Sequence, residues 1–257
     1  MARRSDRASD GSSVVRASVA SQLLDAVDRA VETRWSAAQT RARQFDGSRE
    51  ERVDAVAAKI RRELGAAGAA SGGTAAIPGV GLGTVATGFA VELGWSTMRL
   101  ADLILTIAAI HGHDRADVDE RRLWVLSILT YRDGAAGAVA KLAADLSGSP
   151  AERGARKLTH RTIRQMNSTL GAGVIAKYGS RRFVAALGRA VPFGVGAVLG
   201  YGMNTRAVTM TAKHAHSFFT DFPISMDAID TDGVRVERTT APRSIPPGPR
   251  PDRATGS

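Results

Sequence analysis

The chain has 257 residues, enough for one large domain or two small ones around a real core. Hydrophobic residues make up 44% but aromatics only 5%, and 27 glycines and many alanines favour close helix packing over strands. No cysteine is present, which excludes disulfides and thiolate metal sites, and the formal charge of +10 is matched by residues 151–219 alone, with 11 Lys/Arg against one acidic residue. A surface this basic can attract anionic lipid, nucleic acid or an acidic protein.

The opening MARRSDRASDGSS (1–13) is polar and reads as a disordered segment with no secretory signal, so a cytoplasmic setting is expected. From 14 to 45, Val19, Leu23, Val27, Val31, Trp35, Ala38, Ala42 and Phe45 recur at steps of three and four, predicting one long amphipathic helix. After Asp46-Gly47, Ser48 caps a second helix, with Glu51 in the reciprocal capping-box position. Its apolar face is Val53, Val56, Ala57, Ile60 and Leu64, and Gly65 is expected to stop it. Residues 14–64 thus read as an amphipathic helical hairpin. The run GAAGAASGG (65–73) reads as a flexible hinge.

The stretch TAAIPGVGLGTVATGFAVE (74–92) enters a glycine-rich helix through Pro78. It contains 18 uncharged residues (74–91), the lower limit for a bilayer span, before Glu92, Arg99 and Asp102 interrupt it. It is no phosphate loop, because it has no GK[ST] and no strand before it. Gly94 is expected to bend or divide this helix from Trp95–Ile110, which is apolar all round except for Arg99 and Asp102. Asp119 is the expected cap of the next helix, 119–132, and an Ala-rich helix follows over 134–146. Ser149-Pro150-Ala151-Glu152 is a second capping box, opening a basic helix with Arg153, Arg156, Lys157, Arg161 and Arg164. A short helix is expected over 180–190. Pro192 then starts a last long helix that runs to Phe219. Six of the nine prolines lie at or beyond Pro223, so 221–257 reads as a Pro-rich, largely disordered tail.

IPGVGLG (77–83) and VPFGVGAVLG (191–200) share a layout: an apolar residue, a proline, then glycine-spaced small residues entering a helix. This is either a weak internal duplication or two glycine-lined helices meeting in one core. The fold expectation is therefore an all-α, multi-helix bundle of roughly seven to nine helices. The two glycine-rich helices lie at its centre, with 74–220 as the core and 14–64 packed onto it as one domain.

Little chemistry is legible. His111, His113 and Asp114 have no third ligand at a known spacing, and His214 and His216 point to different faces of a helix, so neither a metal nor a cofactor is expected. Glu92, Arg99, Asp102, Asn204 and Arg206 interrupt apolar helices and form a candidate buried polar site. A buried carboxylate is costly without a partner, so Glu92 or Asp102 should meet Arg99 or Arg206. Nothing supplies an activated nucleophile or a matched pair of acids. Arg153, Arg156, Lys157, Arg161 and Arg164 make a candidate anionic-surface face. Nucleic acid is not the expected partner, since no helix-turn-helix, zinc finger or aromatic platform accompanies them.

Taken together, GGTAAIPGVGLGT, LILTIAAIHGHD, ERRLWVLSIL and RAVPFGVGAVLGYGMNTRAVTMTAKHAHSFF resemble the EcsC family of bacterial proteins over about residues 45–220. The family usually has aromatic residues where this chain has His111 and His113. The resemblance implies a helical accessory protein of bacterial cells, often considered near the membrane, with no catalytic set to carry over. The functional expectation is a non-enzymatic protein reversibly associated with an anionic membrane surface or a membrane protein complex. The alternatives are a lipid or small-molecule hydrolase with an interhelical cavity, and a soluble protein-interaction module.

Overall fold

A computed structural model describes residues 20–74, 82–146, 158–178 and 196–221. Of these, 89% are helical and none forms a strand, so the fold is an all-α bundle. The expectations for the amino-terminal segment, the Pro78 turn, the 149–152 capping box, the 180–190 helix, the Pro192 entry and the tail beyond 221 lie outside the described residues.

The helices in chain order are α1 (20–33), α2 (Trp35–Ala42), α3 (Arg49–Thr74), α4 (Leu82–Ile110), α5 (Val118–Tyr131), α6 (Ala135–Leu146), α7 (His160–Tyr178) and α8 (Gly196–Asp221). The predicted single helix of 14–45 is bent at Arg34, between α1 and α2. The ladder survives the bend: Arg34 N–H donates to the Ala30 carbonyl and Ala38 N–H to the Arg34 carbonyl, both at 2.9 Å. Just before it, the Thr33 hydroxyl donates to the Arg29 carbonyl at 2.6 Å, the kind of back-bonding that bends helices.

The capping box at the start of α3 forms as its spacing predicts. Ser48 N–H donates to Glu51 Oε2 at 2.8 Å, and Glu51 N–H to Ser48 Oγ at 3.2 Å. These bonds also hold the Glu51 carboxyl below its usual range. The hinge expected at 65–73 is instead the last two turns of α3. Gly65 does not stop the helix because its bare Cα is a packing surface. A Cβ there would lie 2.6 Å from Tyr201 Cε2 and 3.0 Å from Thr205 Cγ2 on α8. The pairing of α3 with α8 is the most extensive helix contact in the described fold. The alanines after Gly65 are the best helix formers, so contact and propensity agree.

Gly94 likewise does not divide α4, which runs unbroken over 29 residues. A glycine inside a helix costs about 1 kcal/mol, a sum that burial of the following turns outweighs. Residues 101–108 are all buried, and α4 touches α2, α3, α5 and α8. It is one of the central helices of the described bundle. It ends in a Schellman turn, with Gly112 at φ +88°, Gly112 N–H donating to the Ala109 carbonyl and His113 N–H to the Ala108 carbonyl. The cap of α5 is Asp117 rather than Asp119. Asp117 Oδ1 accepts from Glu120 N–H at 2.8 Å, and Glu120 Oε2 accepts from Asp117 N–H at 3.1 Å. Of the two aspartates, only Asp117 has its glutamate three residues on.

Candidate functional site

The polar centre of the fold is built on Asp102, whose side chain is 0% exposed in the middle of α4. Three guanidiniums converge on it. Arg99 Nη1, one turn earlier on the same helix, lies 2.6 Å from Oδ2; Arg34 Nη2, from the α1–α2 bend, lies 3.2 Å from the same oxygen; Arg41 Nη1, from α2, lies 2.8 Å from Oδ1. Thr106 closes the cluster: its hydroxyl donates to the Asp102 carbonyl at 2.7 Å and accepts from Arg41 Nη1 at 2.9 Å. Arg99 also pairs with Glu63 of α3. Burial pushes the Arg99 guanidinium below its ordinary value, and so do its neighbours Arg41 and Arg34, while Asp102 works against both.

The bend in α1–α2 therefore has a structural use, since it turns Arg34 and Arg41 onto one carboxylate. The sequence reading singled out Arg99 and Asp102 but not Arg34, Arg41, Glu63 or Thr106. A signal was present: Arg34 and Arg41 are seven residues apart, so they share a helix face and flank the stripe of Ala38 and Ala42.

The other expected members do not join this cluster. Arg206 is exposed on α8, on the side away from the core, so it makes no buried pair. Asn204 is half-buried, and its Nδ2 donates to the Leu64 carbonyl at 3.0 Å, tying α8 to α3 beside the Gly65 contact. The Glu92 side chain lies outside the described residues. Of the basic face, Arg161 and Arg164 are exposed on α7, whereas Arg153, Arg156 and Lys157 lie outside the described residues. The single basic helix expected to carry all five is interrupted, because Leu158 and Thr159 are not helical and Thr159 Oγ1 accepts from Thr162 N–H at the start of α7.

A second polar group sits at the carboxyl end of α4. His111 Nε2 is 3.2 Å from His216 Nδ1 of α8. The His113 ring lies 5.2 Å from both Trp124 and Phe219, and Trp124 meets Phe219 edge-on at 5.3 Å. The two histidine rings thus join Trp124 and Phe219 in one cluster of tilted and edge-on ring contacts. Burial pushes His111 down to about 3, helped by Arg49, His216 and His113. His113 is also lowered, by burial first. His214 points elsewhere, with Nε2 2.8 Å from Asp133 Oδ1. Among the described residues no three His, Cys, Asp or Glu side chains are grouped to hold a metal.

A cavity of about 150 Å³ opens between α1, α4, α5 and α7. Its described wall includes Leu23, Val27, Leu93, Leu100, Leu126 and Val174, with Thr97 the one polar side chain among the described lining residues. Among the described residues this wall presents no acid, base or carboxylate.

These features define an all-α helical bundle with a buried charge cluster. No family model matches the chain, and no curated protein or solved structure matches it either.

Proposed function

We propose that the protein is a non-enzymatic accessory protein that meets an anionic membrane surface, or a membrane protein complex, reversibly. The observation that carries this reading is the outer face of α8. Met203, Arg206, Met210 and Lys213, at steps of three and four, are all exposed, with Met203 at 62%. Flexible apolar side chains alternating with cations suit an interface where acyl chains begin and headgroups are negative. Each nearby cation contributes roughly 1 kcal/mol of attraction to an anionic leaflet, so two on this face recruit the bundle weakly and reversibly. The likeness to the EcsC family points the same way. The cavity favours holding an apolar group over hydrolysing one, because its described wall is almost wholly aliphatic.

Liposome flotation tests the reading. The protein should float with vesicles containing about one third phosphatidylglycerol at low salt, and should be released at high salt. The substitutions M203S and M210S together with R206E and K213E should abolish flotation without lowering helix content. Flotation unaffected by those changes, or none at all, would remove the proposal. Retention on membranes under alkaline carbonate would replace it with stable insertion. A parallel mobility-shift assay with DNA should show no complex under the same salts.

A further inference from the structure

We propose that the Arg34–Arg41–Arg99 cluster is a binding site for a singly charged, phosphate-type oxyanion. Three guanidiniums face two carboxylates, Asp102 and Glu63, so the cluster keeps one net positive charge among the described residues. Each guanidinium has five N–H donors. The cluster's own acceptors take five contacts from the three of them, leaving most of the donors without an acceptor inside it. Arg34 Nε is enclosed and has no hydrogen-bond partner among the described residues, so an anion seated on the exposed part of Arg34 reaches it only as that side chain shifts. An unmatched donor of this kind costs free energy until an acceptor reaches it.

Access comes through the same residue. The Arg34 side chain is 35% exposed, while those of Arg41 and Arg99 are 12% exposed and Asp102 is sealed beneath them. An anion arriving from solvent meets the open side of Arg34 with Arg41 and Arg99 behind it. Asp102 fixes all three guanidiniums before any ligand arrives, which lowers the ordering cost of binding. The charge match selects the ligand class. One unbalanced positive charge suits dihydrogen phosphate or a phosphodiester, and planar guanidiniums are suited to bidentate contact with phosphate oxygens. The phosphodiester can belong to a lipid headgroup, while dihydrogen phosphate is free in solution. The site uses none of the residues of the α8 face and does not depend on the membrane reading.

The test uses the full chain and sodium phosphate at roughly 10 mM, against sodium chloride at equal ionic strength. Phosphate should raise the melting temperature by about 3 °C over chloride. R34Q should abolish that difference. R34K, which keeps the charge but not the fork, should at least halve it, and it serves if R34Q fails to fold. The α8 variants M203S, R206E, M210S and K213E should keep the phosphate response, so this site and the membrane face fail separately. Flotation on phosphatidylglycerol vesicles, whose headgroup is a singly charged phosphodiester, separates the two sources. Loss of binding in R34Q, with competition by phosphate, assigns the site to a headgroup; unchanged flotation with loss of the thermal response assigns it to free phosphate. Equal melting in phosphate and chloride, or a phosphate shift that survives both R34Q and R34K, overturns the proposal.

Discussion

Replacing Asp102 by Asn removes one charge and leaves the shape nearly unchanged, so it tests whether the carboxylate organises the bundle. Asp102 is fully enclosed and contacts three guanidiniums between 2.6 and 3.2 Å. Without it, Arg34, Arg41 and Arg99 retain only Glu63 as an acidic partner among the described residues. Breaking a buried pair by removing one partner costs about 3–5 kcal/mol. Arg34 is partly in water and can be resolvated, which moves the expectation to the lower end, about 3 kcal/mol. For a chain of this size that corresponds to a fall in melting temperature of roughly 6–12 °C.

Urea unfolding followed by circular dichroism gives the free energy directly, provided that the m-value is unchanged. The double-mutant cycle of D102N with R41Q should return a coupling of at least about 1 kcal/mol, because the two groups share a 2.8 Å contact. High salt should change the result little, since a buried pair is poorly screened. A D102N protein within about 1 kcal/mol of the parent, with no coupling to R41Q, would refute the reasoning and place these charges in solvent.

The remaining expectations are more local. His111 is held neutral with its proton affinity lowered to about 3, against an ordinary value of 6.5, so below pH 6.5 the unfolded chain binds the extra proton. Stability should be flat above pH 6.5 and should fall as pH drops toward 3, by less than about 1.4 kcal/mol per pH unit from this residue; urea midpoints across that range read it. H111Q should flatten that slope, and an identical slope in the variant would deny His111 its part. Gly65→Leu should destabilise by about 1–3 kcal/mol by forcing α3 from Tyr201 and Thr205, whereas an unchanged melting temperature would mean the two helices do not cross there. Ser48→Ala and Asp117→Ala should each cost about 1 kcal/mol through loss of a cap; the Asp117 change also removes the 3.0 Å contact to His160, and Asp119→Ala should cost less than either.

What the sequence made legible depended on whether the deciding contact was local. The Ser48–Glu51 box lies within one helical turn, and its residue types admit few other uses, so it was readable. The apolar face of α3, with Val53, Val56, Ile60 and Leu64, followed from periodicity and is buried. The cap of α5 was misplaced by two residues because Asp117 and Asp119 both precede the same apolar run. Gly65 was misread for a deeper reason. Taken locally, a glycine after a cationic turn signals a helix stop, and only the approach of Tyr201 from 136 residues away makes it a packing surface. The arginine cluster was half legible on the same logic. Arg99 and Asp102 are three apart and could be paired on paper, whereas Arg34 and Arg41 reach Asp102 across 68 and 61 residues.

The apolar quality of α4 carries the same lesson toward function. Leu93–Ile110, with a mean hydropathy of 1.4, is long and apolar enough to cross a membrane by composition. Within the bundle, however, residues 101–108 are covered by neighbouring helices, and Asp102 at their start carries its counter-charges with it. A lipid environment would have to replace both the apolar neighbours and three guanidiniums, and stripping paired charges into hydrocarbon is the most expensive exchange available to this helix. The proposed membrane contact therefore rests on α8, where Met203 and Met210 are exposed and Arg206 and Lys213 stand beside them. Arg206, which the sequence suggested as a partner for a buried carboxylate, lies on that exposed face, and Asp102 takes its counter-charges from Arg34, Arg41 and Arg99 instead.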